Sequence, residues 1–427
     1  MRNPRHAMSE AAPLARVRGG GDESAPAYPD LRILVFSYIF PSATRPSAGL
    51  FVRERMFRVG KRAFIVVVAP QPWFPLQGLL RLLRPDFRAM SPAHEIDAGV
   101  EVIRPRYFSV PGVFKRLDGF LMAISVYRTV MRVVRQQRIT LIDAHFGYPE
   151  GYAATLLGRW LKLPVSITFR GKEASQAQSA LGKPLRKGVV RASRVIAVSQ
   201  ALRQVAIDLG AAPGNTVVVG NGVDLSRFSR EDRDACRAAL ELPRDAKVLI
   251  SVGALVERKG FHRVIECLPA LREVYPDLYF LAVGAGDPQG DMTEVLREQA
   301  RALGLSQYVR FLGHVAPAGL KVVYSASDVF VLATRYEGWA NVFLEAMACG
   351  LPVVTTDVGG NREVITTPVL GKVVPFGDRG LLTAALREAL AADWDRQAIV
   401  AYATTYGWER RIDELMPELA RAARRNA

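Results

Sequence analysis

Two glutamates, Glu337 and Glu345, stand eight positions apart in RYEGWANVFLEAMACGLPVVTTDVGGNREVI, residues 335–365. The first falls in a loop at the mouth of an expected helix, the second one turn in, on the face of Asn341. Between them, the N–H groups from Gly338 to Val342 and the positive end of the helix dipole form an anion site suited to a phosphate or diphosphate. A carboxylate on each side accepts hydrogen bonds from hydroxyls, which sugars and riboses present. The plainer alternative is a pair of helix-start acids stabilised by the dipole.

These side chains need a strand, a loop and a helix to hold them. Asp328 to Ala333 carries a short apolar run, which fits a strand of a parallel sheet covered on both faces. Asn341 is expected to cap a helix that Gly350 and Pro352 end, and Pro352 to Thr356 is the next strand. The same alternation runs from Leu31 onward: RILVFS, FIVVVA, a long helical pattern over Leu117 to Gln137, then strands at Ile139–His145, Pro164–Phe169 and Arg194–Val198. It restarts at Lys247–Val252, with Tyr279–Val283 and Val309–Gly313 following. The class is therefore α/β with doubly wound parallel sheets. GAGD after Val283 lacks the third glycine of a dinucleotide fingerprint, and no GxGxxG follows the first strand, which disfavours a dehydrogenase.

The string EGWANVFLEAMACGLPVVTTDVGG resembles the E-x7-E signature of retaining, nucleotide-sugar-dependent glycosyltransferases of family 4. The resemblance implies the GT-B fold, two facing Rossmann-like domains with a central cleft. It implies that Glu337 contacts the donor sugar, that Glu345 holds the ribose, and that the amides of Gly338, Asn341 and Val342 bind the diphosphate. In GALVERKGF, Lys259 fits the family's diphosphate-gripping lysine. Ala254 stands where an arginine is usual, and Arg258 is the neighbouring charge that could replace it. NGVD at Asn221 to Asp224 resembles the linker motif that lines the cleft; Asn221 and Gly222 also suit a left-handed turn. Gly49, opening the helix in PSAGLFVRERM, resembles the N-terminal loop that lets a phosphate or sugar approach the backbone, without the double glycine many members have.

On the facing domain, His145 closes a strand in HFGYPEGYAA, and the next strand ends in RGKE, where the family has T-x-H-G-x-D/E. Arg170 thus replaces a histidine, with Glu173 at the acid position. Either Arg170 binds a donor phosphate or an anionic acceptor, or His145 makes the sugar contact instead. Catalytic candidates are Glu337, His145 and Arg170. No metal and no cofactor is expected, the nucleotide sugar being a substrate. A hydrolase would need two carboxyls flanking one glycosidic bond, whereas Glu345 is assigned to the ribose.

At 427 residues two domains are expected: a disordered tail over 1–30, an acceptor-side domain over 31–215 joined by the last helix (408–427), and a donor-side domain over 216–407. Three scattered cysteines, 49% hydrophobic and 23% charged residues suit a cytoplasmic globular protein. Charge is uneven, with 28 Lys+Arg against 10 Asp+Glu in residues 31–215 and 25 against 27 in residues 216–427. A basic half of this kind points to an anionic partner. The segment 71–92 interleaves Trp73, Phe74, Leu76, Leu79, Leu80, Leu82 and Leu83 with Arg81, Arg84 and Arg88, so the partner expected is the inner face of an acidic membrane. The alternative is an insertion folded onto its own domain. Nucleic acid is not expected, because the strands are apolar rather than aromatic and basic. The resulting expectation is sugar transfer from a nucleotide-diphosphate donor to a glycan or polyprenyl-linked acceptor in bacterial surface polysaccharide synthesis; the rival is a basic nucleic-acid- or membrane-binding protein without catalysis.

Overall fold

The computed structural model describes residues 27–46, 48–83, 87–287 and 290–424. Expectations for residues 1–26, for the Leu83 side chain, and for Arg84 and residues 425–427 lie outside it. Ten strands come first: β1 (Arg32–Phe36), β2 (Phe64–Val68), β3 (Gln71–Trp73), β4 (His94–Asp97), β5 (Val100–Ile103), β6 (Arg106–Phe108), β7 (Leu141–His145), β8 (Val165–Phe169), β9 (Arg194–Ala197) and β10 (Thr216–Val218). Eight of them form one sheet in the order β10-β9-β8-β7-β1-β2-β5-β4, while β3 and β6 make a separate two-stranded ribbon. Only the β4–β5 pair of that sheet is antiparallel. The second sheet is wholly parallel, in the order β13-β12-β11-β14-β15-β16, from β11 (Lys247–Val252), β12 (Leu278–Val283), β13 (Val309–Gly313), β14 (Val329–Leu332), β15 (Val353–Thr356) and β16 (Gly371–Val374).

The apolar runs have a direct cause: both faces of each sheet are covered. In β1, Leu34 and Phe36 join a core with Met122, Val126 and Val130 of the long helix Asp118–Gln137. Ile33 and Val35 face the other way, onto Val52 and Met56 of helix Leu50–Gly60 and onto Ile412, Leu415 and Leu419 of helix Trp408–Arg424. Residues of alternate sense along one strand therefore both meet apolar partners, so no polar alternation survives. The last helix thus packs on the first sheet, and the chain returns to it beside the linker, where Val223 N donates to Tyr406 O at 3.0 Å.

Several expectations are corrected. Tyr28, assigned to the tail, is tied down: its N–H donates to Arg62 O at 3.0 Å, and Leu31 N donates back to Tyr28 O at 3.2 Å. Gly222 does not adopt the left-handed turn; a Cβ there would lie 2.7 Å from the Trp408 ring, so close packing of that indole requires the glycine. In the 71–92 segment Phe74 is buried, edge-to-face with Phe87 at 6.5 Å and beneath the Arg88 guanidinium, and Trp73 is half-buried in β3. These two aromatics anchor the insertion rather than face outward. Leucines on and just before the short helix Gln77–Leu83 behave oppositely: Leu76, Leu79 and Leu82 are more than half exposed.

Candidate functional site

The C-terminal edges of the two sheets face each other across a cleft, where ligands of open parallel sheets bind. On the second sheet, the loop after β11 and the loop after β14 are sewn together. Arg335 N donates to Arg258 O at 2.7 Å, and Thr334 Oγ1 donates to the same carbonyl at 2.9 Å. Gly260 makes this possible: at φ 77° it lies so close to Ala333 that a Cβ would sit 1.9 Å from the carbonyl oxygen. The seam brings Lys259 Nζ into an ion pair with Glu337 Oε1, with Arg258 Nη1 3.5 Å from the same oxygen. Glu337 is 8% exposed. Two cations so placed offset the lost hydration of a buried carboxylate.

The helix Asn341–Ala348 follows, with Ala340 at its N-cap position. Asn341 is therefore the first helical residue and not the cap; its Oδ1 accepts from Asn221 Nδ2 at 2.9 Å, and no side chain caps the helix amides. One turn in, Glu345 accepts from Tyr324 O–H at 3.2 Å. Glu345 keeps some exposure, but desolvation still pushes its carboxyl up to about 7, partly opposed by the tyrosine hydrogen bond and by Arg227. Gly338 abuts the other half: a Cβ there would lie 2.5 Å from Gly171 Cα and 2.6 Å from Arg170 O. The mouth of this helix is thus shared by both domains.

On the first sheet, β7 and β8 deliver His145 and Arg170 side by side. Arg170 Nη2 and Nε approach His145 Nδ1 at 2.9 and 3.2 Å, and Arg170 Nη1 donates to Asn221 Oδ1 at 3.1 Å. An imidazole nitrogen that accepts from a guanidinium carries no proton, so the ring proton sits on Nε2, 3.2 Å from Asp143 Oδ2. Burial, reinforced by Arg170, drives the His145 pKa down to about 4, so the ring is neutral near pH 7. Burial also lowers Arg170 well below the ordinary arginine range, with Arg55 adding to the effect. His145 is fully buried and both ring nitrogens face protein groups, so in this state it orients Arg170 and does not itself reach the cleft. Glu173 is equally occupied, accepting from the N–H groups of Gly147, Arg170 and Gly171.

Gly49 is placed differently from the expectation. At φ 73° it caps helix Leu50–Gly60, and a Cβ would lie 2.2 Å from Ile39 O. Its missing side chain makes room for the chain's own backbone rather than for a ligand. The other donor-side candidates, Asn221, Arg258, Lys259, Gly338, Asn341, Val342 and Glu345, gather around one helix mouth.

Four residues that sequence reasoning passed over join the site. Asp143 backs His145. Trp339 packs between Gly220 of the linker and the Tyr406 ring, at 6.1 Å. Glu363 spans the two halves, accepting from Gln200 N at 2.6 Å and Ala201 N at 2.9 Å at the start of helix Gln200–Asp208. Glu150 is fully buried near Lys172 and Glu173, and neither carboxylate oxygen makes a hydrogen bond of good geometry. Only Glu150 carried a sequence signal, an acid in an otherwise apolar and aromatic run after a strand. Among the described residues no group of three or more His, Cys, Asp or Glu is placed to hold a metal ion.

Comparison with known proteins agrees with this arrangement. Residues 82–227 match Glycosyltransferase Family 4, and residues 232–406 match Glycosyl transferases group 1. The chain is 29% identical over 340 residues to a putative teichuronic acid biosynthesis glycosyltransferase, TuaC of Bacillus subtilis, covering 77% of this chain and 82% of that one. It is 36% identical over 248 residues to D-inositol 3-phosphate glycosyltransferase of Geodermatophilus obscurus, and this match spans 55% of the chain and about half of the relative, 54%. In fold it is similar to sucrose-phosphate synthase from Thermosynechococcus elongatus (TM-score 0.70, 19% identity, 90% and 98% of the two chains). It is equally similar to Anabaena HepE in complex with UDP and glucose (TM-score 0.69, 20% identity, 91% and 99%). The two glycosyltransferase family matches, which meet just after the linker, and the two facing sheets of a GT-B fold together support a GT-B glycosyltransferase.

Proposed function

We propose that the chain transfers a sugar from a nucleotide-diphosphate donor to a hydroxyl of a glycan or lipid-linked acceptor, with retention at the anomeric carbon and without a divalent ion. The observation that carries this reading is the meeting of Lys259, Arg258, Glu337 and Glu345 at the mouth of one helix. The amides of that first turn and the two cations take the diphosphate, Glu345 takes the ribose hydroxyls, and Glu337 takes a sugar hydroxyl. As the bond from the anomeric carbon to the diphosphate oxygen breaks, the electron pair leaves with the phosphate, where Lys259 and Arg258 stabilise the added charge. The acceptor oxygen bonds to that carbon on the same face and passes its proton to the departing phosphate oxygen. Arg170, oriented by His145 and Asn221, faces this centre from the acceptor side. The likeness to TuaC, a putative teichuronic acid biosynthesis glycosyltransferase, and to HepE in complex with UDP and glucose favours a nucleotide-sugar donor and a bacterial glycan product.

The test is turnover with a panel of UDP-, GDP- and ADP-sugars, with product anomers read by NMR, before and after exhaustive chelation. Retention and turnover that survives chelation are expected. Inversion, or a complete loss restored by magnesium or manganese, overturns the mechanism.

A further inference from the structure

Of the twenty large apolar side chains exposed among the described residues, eleven lie between Leu76 and Ile124. That stretch is about an eighth of the chain, so the exposure is concentrated rather than scattered, and concentration marks an interaction surface. One ridge is formed by Leu76, Leu79, Leu80 and Leu82 on and before the short helix Gln77–Leu83, between 39% and 79% exposed. The second runs along the start of helix Asp118–Gln137. Phe114, Leu117, Phe120 and Ile124 recur every three or four residues on the side opposite its buried Met122, Val126 and Val130. A helix lying on a soluble domain normally carries polar residues there.

The segments that carry the two ridges are tied together at Ser109. Its N–H donates to Trp73 O at 2.9 Å, its carbonyl accepts from Arg88 at 2.6 Å, and its hydroxyl accepts from Lys115 at 3.2 Å. Phe108 N, next in the ribbon, donates to Ser125 Oγ of the long helix at 3.3 Å. The surroundings are cationic. From Arg104 to Arg138 there are eight Lys or Arg and one acid, Asp118, which is buried and paired with Lys115. Beyond Ile124 the same helical face continues as Arg128, Arg132 and Arg135, all exposed and none with a carboxylate partner among the described residues.

We infer that this double ridge docks the protein on an anionic lipid surface, its leucines and Phe114, Leu117 and Phe120 entering the interface while the arginine row lies along the headgroups. Apolar side chains flanked by cations supply the two signals that reversible membrane binding needs. No helix among the described residues is long and apolar enough to cross a membrane, so the contact is peripheral. A second copy of the chain is disfavoured as occupant, because a two-fold contact through the ridges would bring the Arg116, Arg128 and Arg132 rows of both copies together. The inference does not rest on the transfer reaction, and its test uses neither donor nor acceptor.

The full chain is sedimented with sucrose-loaded vesicles of phosphatidylcholine, alone or mixed with phosphatidylglycerol, at low and high salt. Three variants accompany it: L117S/F120S/I124S, L79S/L82S, and R128E/R132E. Nucleotide-diphosphate affinity verifies that each is folded, and V295S, an exposed apolar residue of the other half, serves as control. Wild type and V295S should bind the anionic vesicles, with weaker binding at high salt. Each ridge or arginine variant should lose at least about tenfold in partition, with nucleotide affinity unchanged. Wild type that fails to sediment with anionic vesicles at low salt overturns the inference, and so do ridge variants that bind as wild type does. A wild-type dimer that the ridge variants convert to monomer, without vesicle binding, reassigns the face to self-association.

Discussion

The two halves of the cleft handle charge in opposite ways. Beside β11 and β14 the cations stay partly solvated: the Arg258 and Lys259 side chains are 31% and 13% exposed, and both lean on Glu337. Beside β7 and β8 the polar groups are sealed in, with Asp143, His145, Glu150 and Glu173 at 0–1% exposure and Arg170 at 9%. A diphosphate brings its own charge and needs cations that are present before it arrives, which requires a solvated or paired setting. A hydroxyl acceptor brings none, and a dry, rigid surface that positions it suffices. On the proposed reading, the half that takes the donor is built to stay charged, and the half that takes the acceptor to stay fixed.

Removing Lys259 should produce the largest effect and the most direct break in this contrast. Lys259→Ala takes away a charge-assisted contact to the diphosphate and leaves Glu337 with the more distant Arg258, costing about 3 kcal/mol, or about 150-fold in affinity. Calorimetry with UDP, GDP and ADP reads it. Unchanged affinity for the nucleotide that wild type binds would mean that the diphosphate is not held between Lys259 and the helix mouth.

On the opposite side, His145→Ala should leave nucleotide affinity within about twofold and lower kcat by up to about 100-fold, because Arg170 loses the acceptor that sets its orientation. His145→Gln should recover part of the loss, since its side-chain oxygen can accept from the guanidinium. A fall in affinity as large as that of Lys259→Ala, or no rescue by Gln, would erase the proposed division between binding and positioning.

The same contrast explains what the sequence revealed. Glu337, Glu345 and the helix between them are neighbours in the chain, so spacing alone placed them. Strands such as β2 and β14 were legible because burial on both faces leaves an unbroken apolar run. The acceptor-side network was not legible: Arg170 reaches His145 across 25 positions and Asn221 across 51, and Asn221 reaches Asn341 across 120. No local pattern encodes such pairings. The β4–β5 hairpin, HEID and VEVI, was missed for the opposite reason, since an edge exposed to water carries too few apolar residues to stand out. The helix Asp118–Gln137 was recognised by its buried stripe, but Phe120 and Ile124 on its other side only acquire meaning once their exposure is known.

A smaller effect separates the halves by pH. Glu345 titrates near 7, and ribose hydroxyls donate to its ionised form, so affinity for the nucleotide should weaken as pH falls, by about tenfold one unit below that value. Glu345→Gln should flatten the profile. His145, held near 4, stays neutral throughout that range and should contribute nothing. A wild-type profile that is flat between pH 6 and pH 8, about one unit either side of the expected midpoint, would show that Glu345 is not the ribose contact.

The smallest effect concerns Glu150, in the sealed half. Burial raises its carboxyl well above the usual glutamate range, opposed by its own backbone N–H, by Lys172 and by the Tyr38 backbone, and reinforced by Glu173; neither oxygen makes a hydrogen bond of good geometry. An acid raised in the folded state binds its proton more tightly than in the unfolded chain. Stability is therefore greatest below the unfolded value of about 4.3 and declines as pH rises from there toward the folded value. Glu150→Gln keeps the shape and removes the ionisable proton, so it should match wild type near pH 4 and exceed it by about 1 kcal/mol at pH 8, read as a rise in Tm of a few degrees. If turnover falls in the same variant, the carboxylate is kept for positioning the acceptor at the expense of stability. A Glu150→Gln protein less stable than wild type at pH 8 would show instead that the buried carboxylate is ionised and well compensated, and the acceptor half would then be as charged as the donor half.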